Sequence, residues 1–139
     1  MPEKLTMIGA GLAGPLMASY LSERGYSVDI FERRLDMRCV NQSAGRSINL
    51  ALSKRGIKAL KEIGVYKLIK PMMLPMVGRM IHDNYGNTHL QKYGQKKSEV
   101  IYSISRAFLN KTIRETTKKF SVSFWLDLPI KKLINRLKK

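Results

Sequence analysis

Hydrophobic and polar residues follow three successive rhythms over the first thirty positions. "KLTMIGA" is a short apolar run and predicts a strand. Ala13, Leu16, Met17, Tyr20 and Leu21 then fall at i, i+3, i+4, i+7 and i+8, which puts them on one face of a helix. Gly25 follows "SER" and closes that helix. "YSVDIF" alternates and is rich in β-formers, so a second strand is expected. "RRLDMRCVNQSAGRSINLAL" shows no helical period and reads as a polar loop leading into a short strand, Ile48 to Leu52. In "SKRGIKALKEIG" the residues Ile57, Leu60 and Ile63 share a helical side, Ser53 stands at the cap and Gly64 ends the element. An amphipathic continuation, Val65 to Ile69, stops at Pro71. "PMMLPM" is bounded by prolines, which exclude a regular helix, and its methionines suit core packing.

The second half continues the alternation. "VGRMIHDNYGNTHLQKYG" predicts a hairpin around the turn-rich "DNYGN". Arg79 and Tyr93 stand on its opposite arms, where such a pair can grip an anionic aromatic ligand, although on the residues alone a surface salt-bridge arginine and a half-buried tyrosine fit equally well. Val100 to Ile104 is strand-like, and Ser105 caps a helix whose buried side is marked by Leu109, Ile113 and Phe120, with Phe108 at its edge. "SVSFWLDLPI" is a last strand, followed by a basic run. Strands alternating with helices predict an α/β fold. No repeat, low-complexity segment or linker divides residues 1–139, which read as part of one domain.

The chemistry concentrates between Ile8 and Glu32. Gly9, Gly11 and Gly14 have G-x-G-x-x-G spacing, placed between the first strand and the first helix. Each glycine has its own task. Gly9 permits the tight turn, Gly11 lets backbone approach a pyrophosphate, and Gly14 lets the helix press on the strand. The diphosphate then meets free N–H groups and the positive end of the helix dipole. Glu32 ends the second strand, at the position where a carboxylate holds a ribose diol. An acid there favours FAD or NAD over NADP, and composition does not separate FAD from NAD. Arg33 and Arg34 could add charge-assisted bonds to a pyrophosphate, while Arg38 reads as solvated. A secretion signal accounts for this stretch poorly, because three glycines and Pro15 interrupt its apolar core. It is also short for a membrane span.

Charge adds a second theme. The chain has 26 Lys and Arg against 10 Asp and Glu, a formal net charge of +16. Residues 111–139 hold 9 basic against 2 acidic groups, so nearly half of the excess lies in the last fifth. A solvated basic face explains this most simply. A nucleic-acid protein would show steep salt dependence, but no helix-turn-helix or zinc pattern accompanies the charge, and no nucleic-acid partner is expected. The single cysteine, Cys39, forms no intrachain disulfide. His82 and His89 lack further ligands nearby, so no metal site is expected.

Longer motifs are more discriminating than the glycines. "GAGLAG", "FERR" with "DMR", "SAGRSINLALS", "GRMIHD", "EVIYSISR" and "LN" occur in this order. In this the chain resembles the amino-terminal part of the kynurenine 3-monooxygenase family of flavoprotein aromatic hydroxylases, from Leu5 to about Ile130. The resemblance implies a Rossmann-like FAD-binding fold of glutathione-reductase type with a β-hairpin insertion. It implies FAD as cofactor, NADPH as electron donor, and L-kynurenine and O2 as substrates, with 3-hydroxykynurenine as product. It also implies roles for residues. Gly9, Gly11, Ala13 and Gly14 match the pyrophosphate turn. Phe31, Glu32, Arg33 and Arg34 match the adenosine-ribose end, while Ala51, Arg106 and Ile130 match flavin-contacting positions. Arg79 and Tyr93 match the pair that holds the substrate carboxylate. No residue is assigned to catalysis. Pro15 stands where the family has a small residue, so the helix start is expected to differ slightly.

Members of the family are longer, so the chain is expected to be an incomplete, inactive piece. It would lack the later Gly-Asp flavin segment, most of the substrate cavity and any membrane-anchoring tail, with a cytoplasmic location. The alternative is a non-enzymatic Rossmann-like module binding NAD or ADP, which flavin spectra against nucleotide titration would separate.

Overall fold

The structure is a computed structural model that describes residues 2–35, 49–96, 98–129 and 134–135. Arg38, Cys39, Arg46, Ile48 and Ile130 lie outside the described residues. Strand β1 (Lys4–Ile8) leads through the glycine turn into helix α1 (Ala13–Glu23), and β2 (Ser27–Phe31) returns parallel to β1. After β3 (Asn49–Leu52) come α2 (Lys54–Glu62), α3 (Tyr66–Ile69), a 3-10 turn at Lys70–Met72 and β4 (Leu74–Met76). The hairpin β5 (Gly78–His82) and β6 (Thr88–Lys92) precedes β7 (Ile101–Ser105), α4 (Arg106–Thr117) and β8 (Val122–Trp125).

Among the described residues these strands form three sheets. A parallel sheet has the order β1-β2-β8, with Leu5 opposite Val28 and Val28 opposite Val122. An antiparallel sheet has the order β3-β7-β4, and β5 pairs with β6 alone. A strand–helix–strand unit with parallel strands is the Rossmann-like arrangement that the alternating pattern predicts. β2 lies in the middle of its sheet and is buried from Val28 to Phe31, so its apolar run suits a strand covered on both faces.

Two apolar clusters hold the fold. Ala10, Ala18, Val28 and Ile30 form one, between α1 and the parallel sheet. Leu60, Ile63, Val65, Ile69, Met73, Ile104, Leu109 and Ile113 form the other, between α2, α3, β7 and α4. Fully buried side chains such as Ile30 and Ile113 each contribute about 1.5–3 kcal/mol of transfer free energy. α1 is wedged between the clusters. The Ser19 hydroxyl donates to the Pro15 carbonyl at 2.9 Å, and the Thr117 hydroxyl, which donates to the Ile113 carbonyl within α4 at 2.8 Å, lies 3.1 Å from it, packing α4 on α1. The Tyr20 hydroxyl donates to the Glu62 carboxylate and lies 3.2 Å from the Ala59 carbonyl, joining α1 to α2. The Glu62 hydrogen bond, followed by burial, pushes the Tyr20 phenol up to about 12.

Several expectations need correction. Met17 is 52% exposed and Ala13 is also exposed, so neither belongs to the buried face of α1. Pro15, Ala18 and Ser19 are buried instead. The reason is the wedge: a helix squeezed between a sheet and another helix needs small residues at its closest approaches. The larger Leu16, Tyr20 and Leu21 pack along the flanks. Ser53 occupies the cap position of α2, but its side chain makes no capping bond. "PMMLPM" contributes β4, a strand that the prolines masked; Pro75 is tolerated because β4 is at the edge of its sheet. Of its methionines, Met73 is buried while Met72 is 55% exposed. Phe120 is half-buried rather than buried. Elsewhere the reading and the structure agree: Gly25 and Gly64 end their helices with φ of 88° and 74°, and Ser105 accepts the Phe108 N–H at the start of α4.

Candidate functional site: a glycine turn against a carboxylate

The turn between β1 and α1 is built by backbone freedom and close approach. Gly9 has φ of 103°, a conformation that L side chains rarely adopt, and its N–H donates to the Phe31 carbonyl at 2.7 Å. A Cβ on Gly14 would lie 2.1 Å from the Gly9 carbonyl oxygen, so only glycine lets α1 sit this near the turn. Among the described residues a Cβ at Gly11 would meet no atom within 4 Å, and the backbone is outside the left-handed region. Neither packing among the described residues nor φ therefore requires glycine at position 11, whereas close approach by a ligand would.

The helix end is also open. α1 has no side-chain capping bond at Leu12 and no acidic residue in its first turn. The first N–H groups of a helix lack intrahelical acceptors, and they carry the positive end of the dipole.

Glu32 reaches this turn from the end of β2. Its Oε2 accepts the Ala10 N–H at 2.9 Å. Arg34 grips the same carboxylate twice through its side chain, Nε to Oε1 at 3.0 Å and Nη2 to Oε2 at 3.1 Å, and its backbone N–H donates to Oε1 at 3.0 Å. The Arg34 side chain holds the Glu32 carboxyl down at about 2, helped by the Ala10 and Arg34 N–H groups, while burial opposes the shift. Glu32 is 6% exposed, so this is a nearly buried, ionised carboxylate.

β8 extends the wall. The Glu32 N–H donates to the Trp125 carbonyl, and the Leu128 N–H to the Glu32 carbonyl. The Phe31 and Trp125 rings stack with centroids 6.0 Å apart. Ile8, Gly9, Phe31, Glu32, Arg33, Arg34 and Leu128 thus line a cleft of about 370 Å³. That volume is in the range of small-molecule and cofactor pockets.

Gly9, Phe31, Glu32, Arg33 and Arg34 therefore come together in one cleft, with Gly11, Ala13 and Gly14 at its turn and helix start. Arg34 faces Glu32, where the sequence pointed it toward a pyrophosphate. Ala51 is opposite Ser103 in the antiparallel sheet, and Arg106 is the exposed first residue of α4. Arg106 lies four residues before Asn110, hence on the same helical face, and Asn110 Nδ2 donates to the Ala10 carbonyl at 3.2 Å. Arg79 and Tyr93 do not line the cleft. They lie on one face of the hairpin as diagonal neighbours, since Arg79 faces Gln91. Arg79 Nε donates to Gln91 Oε1 at 2.6 Å, and both Arg79 and Tyr93 are exposed.

Sequence reasoning missed Asn110, although a signal was present: asparagine is a poor helix former, and this one interrupts the apolar side marked by Leu109 and Ile113. It also missed the Trp125 stack and the Arg34 grip, which depend on long-range pairing of β2 with β8 and on a rotamer. Among the described residues no group of His, Cys, Asp and Glu could hold a metal, and no helix is long and apolar enough to cross a membrane.

The chain is similar to known proteins in sequence and in fold. Residues 7–59 match the model of the NAD(P)-binding Rossmann-like domain. A kynurenine 3-monooxygenase from Xanthomonas oryzae is 50% identical over 109 residues, covering 78% of this chain and 24% of that protein. The chain is similar to the kynurenine 3-monooxygenases over most of its own length and about a quarter of theirs. The kynurenine 3-monooxygenase from Cytophaga hutchinsonii is 48% identical over 129 residues, 91% of this chain and 28% of its own length. Beyond the kynurenine 3-monooxygenases, p-nitrophenol 4-monooxygenase from Pseudomonas putida superposes with a TM-score of 0.71. A 2-methyl-3-hydroxypyridine-5-carboxylic acid oxygenase does so with 0.73. Each covers 91% of this chain, and this chain covers 32% of each; at 15% and 12% identity they speak to the fold.

Proposed function

We propose that the turn from Gly9 to Gly14, with Glu32, binds the ADP half of FAD, and that the chain is the FAD-binding part of a monooxygenase hydroxylating L-kynurenine with NADPH and O2. The observation that supports this best is the Ala10 N–H to Glu32 bond, which joins the diphosphate turn to the ribose carboxylate at one mouth. Gly11, Ala13 and Gly14 would present backbone N–H groups to the diphosphate, while Gly9, whose N–H is held by the Phe31 carbonyl, would shape the turn around it. Glu32 would accept from the ribose hydroxyls, and Arg34 must turn at least partly off the carboxylate for this to happen. Phe31 and Arg33 would line the adenosine side. Ala51, Arg106 and Ile130 would meet the flavin, and Arg79 with Tyr93 would hold the kynurenine carboxylate. When bound, the flavin supplies the redox chemistry and oxygen activation; the protein binds, orients and excludes water.

The chain spans about a quarter of the length of the relatives it matches. On its own, in the cytoplasm by this reading, it is expected to bind FAD weakly and to hydroxylate little or no kynurenine. The test is purification with FAD, followed by flavin absorbance and kynurenine-dependent NADPH oxidation. Rapid turnover would reject the inactivity, and absence of any flavin or ADP binding would reject the site.

The match of residues 7–59 to an NAD(P)-binding model favours a second reading, a non-enzymatic NAD or ADP module. Preference for NAD over FAD in competitive titration would select it.

A further inference from the structure

Ala10 is held at both ends of its backbone by side chains from different elements. Its N–H donates to Glu32 Oε2 from the end of β2, and its carbonyl accepts from Asn110 Nδ2 in the second turn of α4. We propose that Asn110 is a positioning residue, which orients the Ala10–Gly11 peptide so that the Gly11 N–H faces a bound diphosphate. This rests on the nucleotide reading above and deepens it.

A trans peptide is planar, so the Ala10 carbonyl and the Gly11 N–H lie in one plane and point in opposite directions. Pinning the carbonyl inward on α4 therefore turns the N–H outward. The pin matters because Gly9 and Gly11 flank Ala10, and glycine leaves its adjoining peptide planes the freest to rotate. The Ala10 residue is 1% exposed, so its methyl supplies a third anchor in the core. Three constraints thus fix a peptide that its glycine neighbours would leave loose.

The orientation of the Asn110 amide follows from chemistry. A carbonyl accepts only from the Nδ2 side, so Oδ1 points elsewhere. Asn110 is 6% exposed, and Oδ1 is buried without a hydrogen-bond partner among the described residues. An asparagine serving the packing of α4 would be better replaced by leucine, which forms helix more readily and leaves no buried acceptor unpaired. What leucine lacks is a donor for Ala10.

The test compares three variants of the full chain. Asn110→Leu keeps the branched shape of the side chain, with bulkier ends, and removes the donor. Asn110→Asp keeps the shape and puts an acceptor where a donor is needed. Thr112→Val is the structural control, since the buried Thr112 hydroxyl donates to Phe108 within its own helix. ADP and FAD affinities are measured by calorimetry, thermal midpoints by circular dichroism, and the Gly11 amide shift by glycine-selective 15N labelling. Both Asn110 variants should weaken ADP about three- to tenfold, the range that loss of one hydrogen bond gives. They should also move the Gly11 amide. Thr112→Val should lower the midpoint while leaving affinity and shift in place. An unchanged Gly11 shift and ADP affinity in either folded Asn110 variant would overturn the proposal, as would equal effects from Thr112→Val. If the unsubstituted chain binds neither ADP nor FAD, the nucleotide reading fails, and the Gly11 shift alone then decides whether Asn110 sets the turn.

Discussion

Gly14 stands so close to Gly9 that a Cβ on the first would lie 2.1 Å from the carbonyl oxygen of the second. Backbone is the obstacle, so no side-chain rotation relieves the contact. Gly14→Ala should destabilise the chain by about 1–3 kcal/mol or more, the cost of forcing an atom into a packed contact. Urea unfolding monitored by circular dichroism measures it. A variant as stable as the original would mean that α1 can slide off the turn without loss.

Gly11 offers the complementary experiment. Its Cβ would meet no atom of the described residues, and its φ lies outside the left-handed region. Gly11→Ala should leave stability within about 0.5 kcal/mol, as for surface changes that touch nothing. It should nevertheless lower ADP or FAD affinity about tenfold or more, because the methyl occupies space that a diphosphate needs. Calorimetry on the folded variant reads this directly, and unaltered binding would place the ligand elsewhere.

Glu32 sets an acid limit. Its carboxyl ordinarily titrates at 4.5 and is held down to about 2 by Arg34 first, and by the Ala10 and Arg34 N–H groups. A depressed value means that the folded state favours the ionised form. The stabilisation is therefore complete above pH 4.5 and fades as pH falls toward 2. It amounts to no more than about 3 kcal/mol by linkage, and less because the Arg34 side chain is half exposed to screening solvent. Thermal midpoints from pH 6 down to 2 should show a steeper decline in the original chain than in Glu32→Gln. Parallel curves would mean that the ion pair adds nothing. At neutral pH, Glu32→Ala should weaken FAD by about 1–3 kcal/mol, since it strands hydrogen-bonding groups.

Arg79 is predicted to matter for substrate alone. It is exposed on the hairpin, away from the cleft. Arg79→Ala should leave FAD affinity unchanged here and reduce kynurenine affinity when made at the matching position of a full-length relative. Loss of flavin without loss of kynurenine would reverse the assignment.

Local signals were readable wherever a residue's reason is local. The positive φ of Gly9, Gly25 and Gly64, the cap at Ser105 and the alternation of "YSVDIF" all follow from neighbours in sequence. The nearness of Glu32 to the turn was legible too, because two parallel strands joined by one helix bring their ends together. What was missed depends on distant partners. Met17 is outside the buried face because α4 and the sheet press α1 from two sides, and a helical wheel does not contain α4. The role of Asn110 needs Ala10 to be its neighbour, and β4 exists because β7 offers it an edge. Arg34 could have turned to solvent, to a phosphate or to Glu32, and its charge alone does not choose.

The order of strands also sets a timetable. β2 is sandwiched between β1, just before it in sequence, and β8, which begins at Val122. Leu128, Trp125 and the carbonyls that close the far wall therefore emerge from the ribosome well after β2. Until they arrive, one long edge of β2 is bare, and pairing across so large a loop is slow. During synthesis that naked edge is the place where a chaperone, or a neighbouring nascent chain, would first take hold.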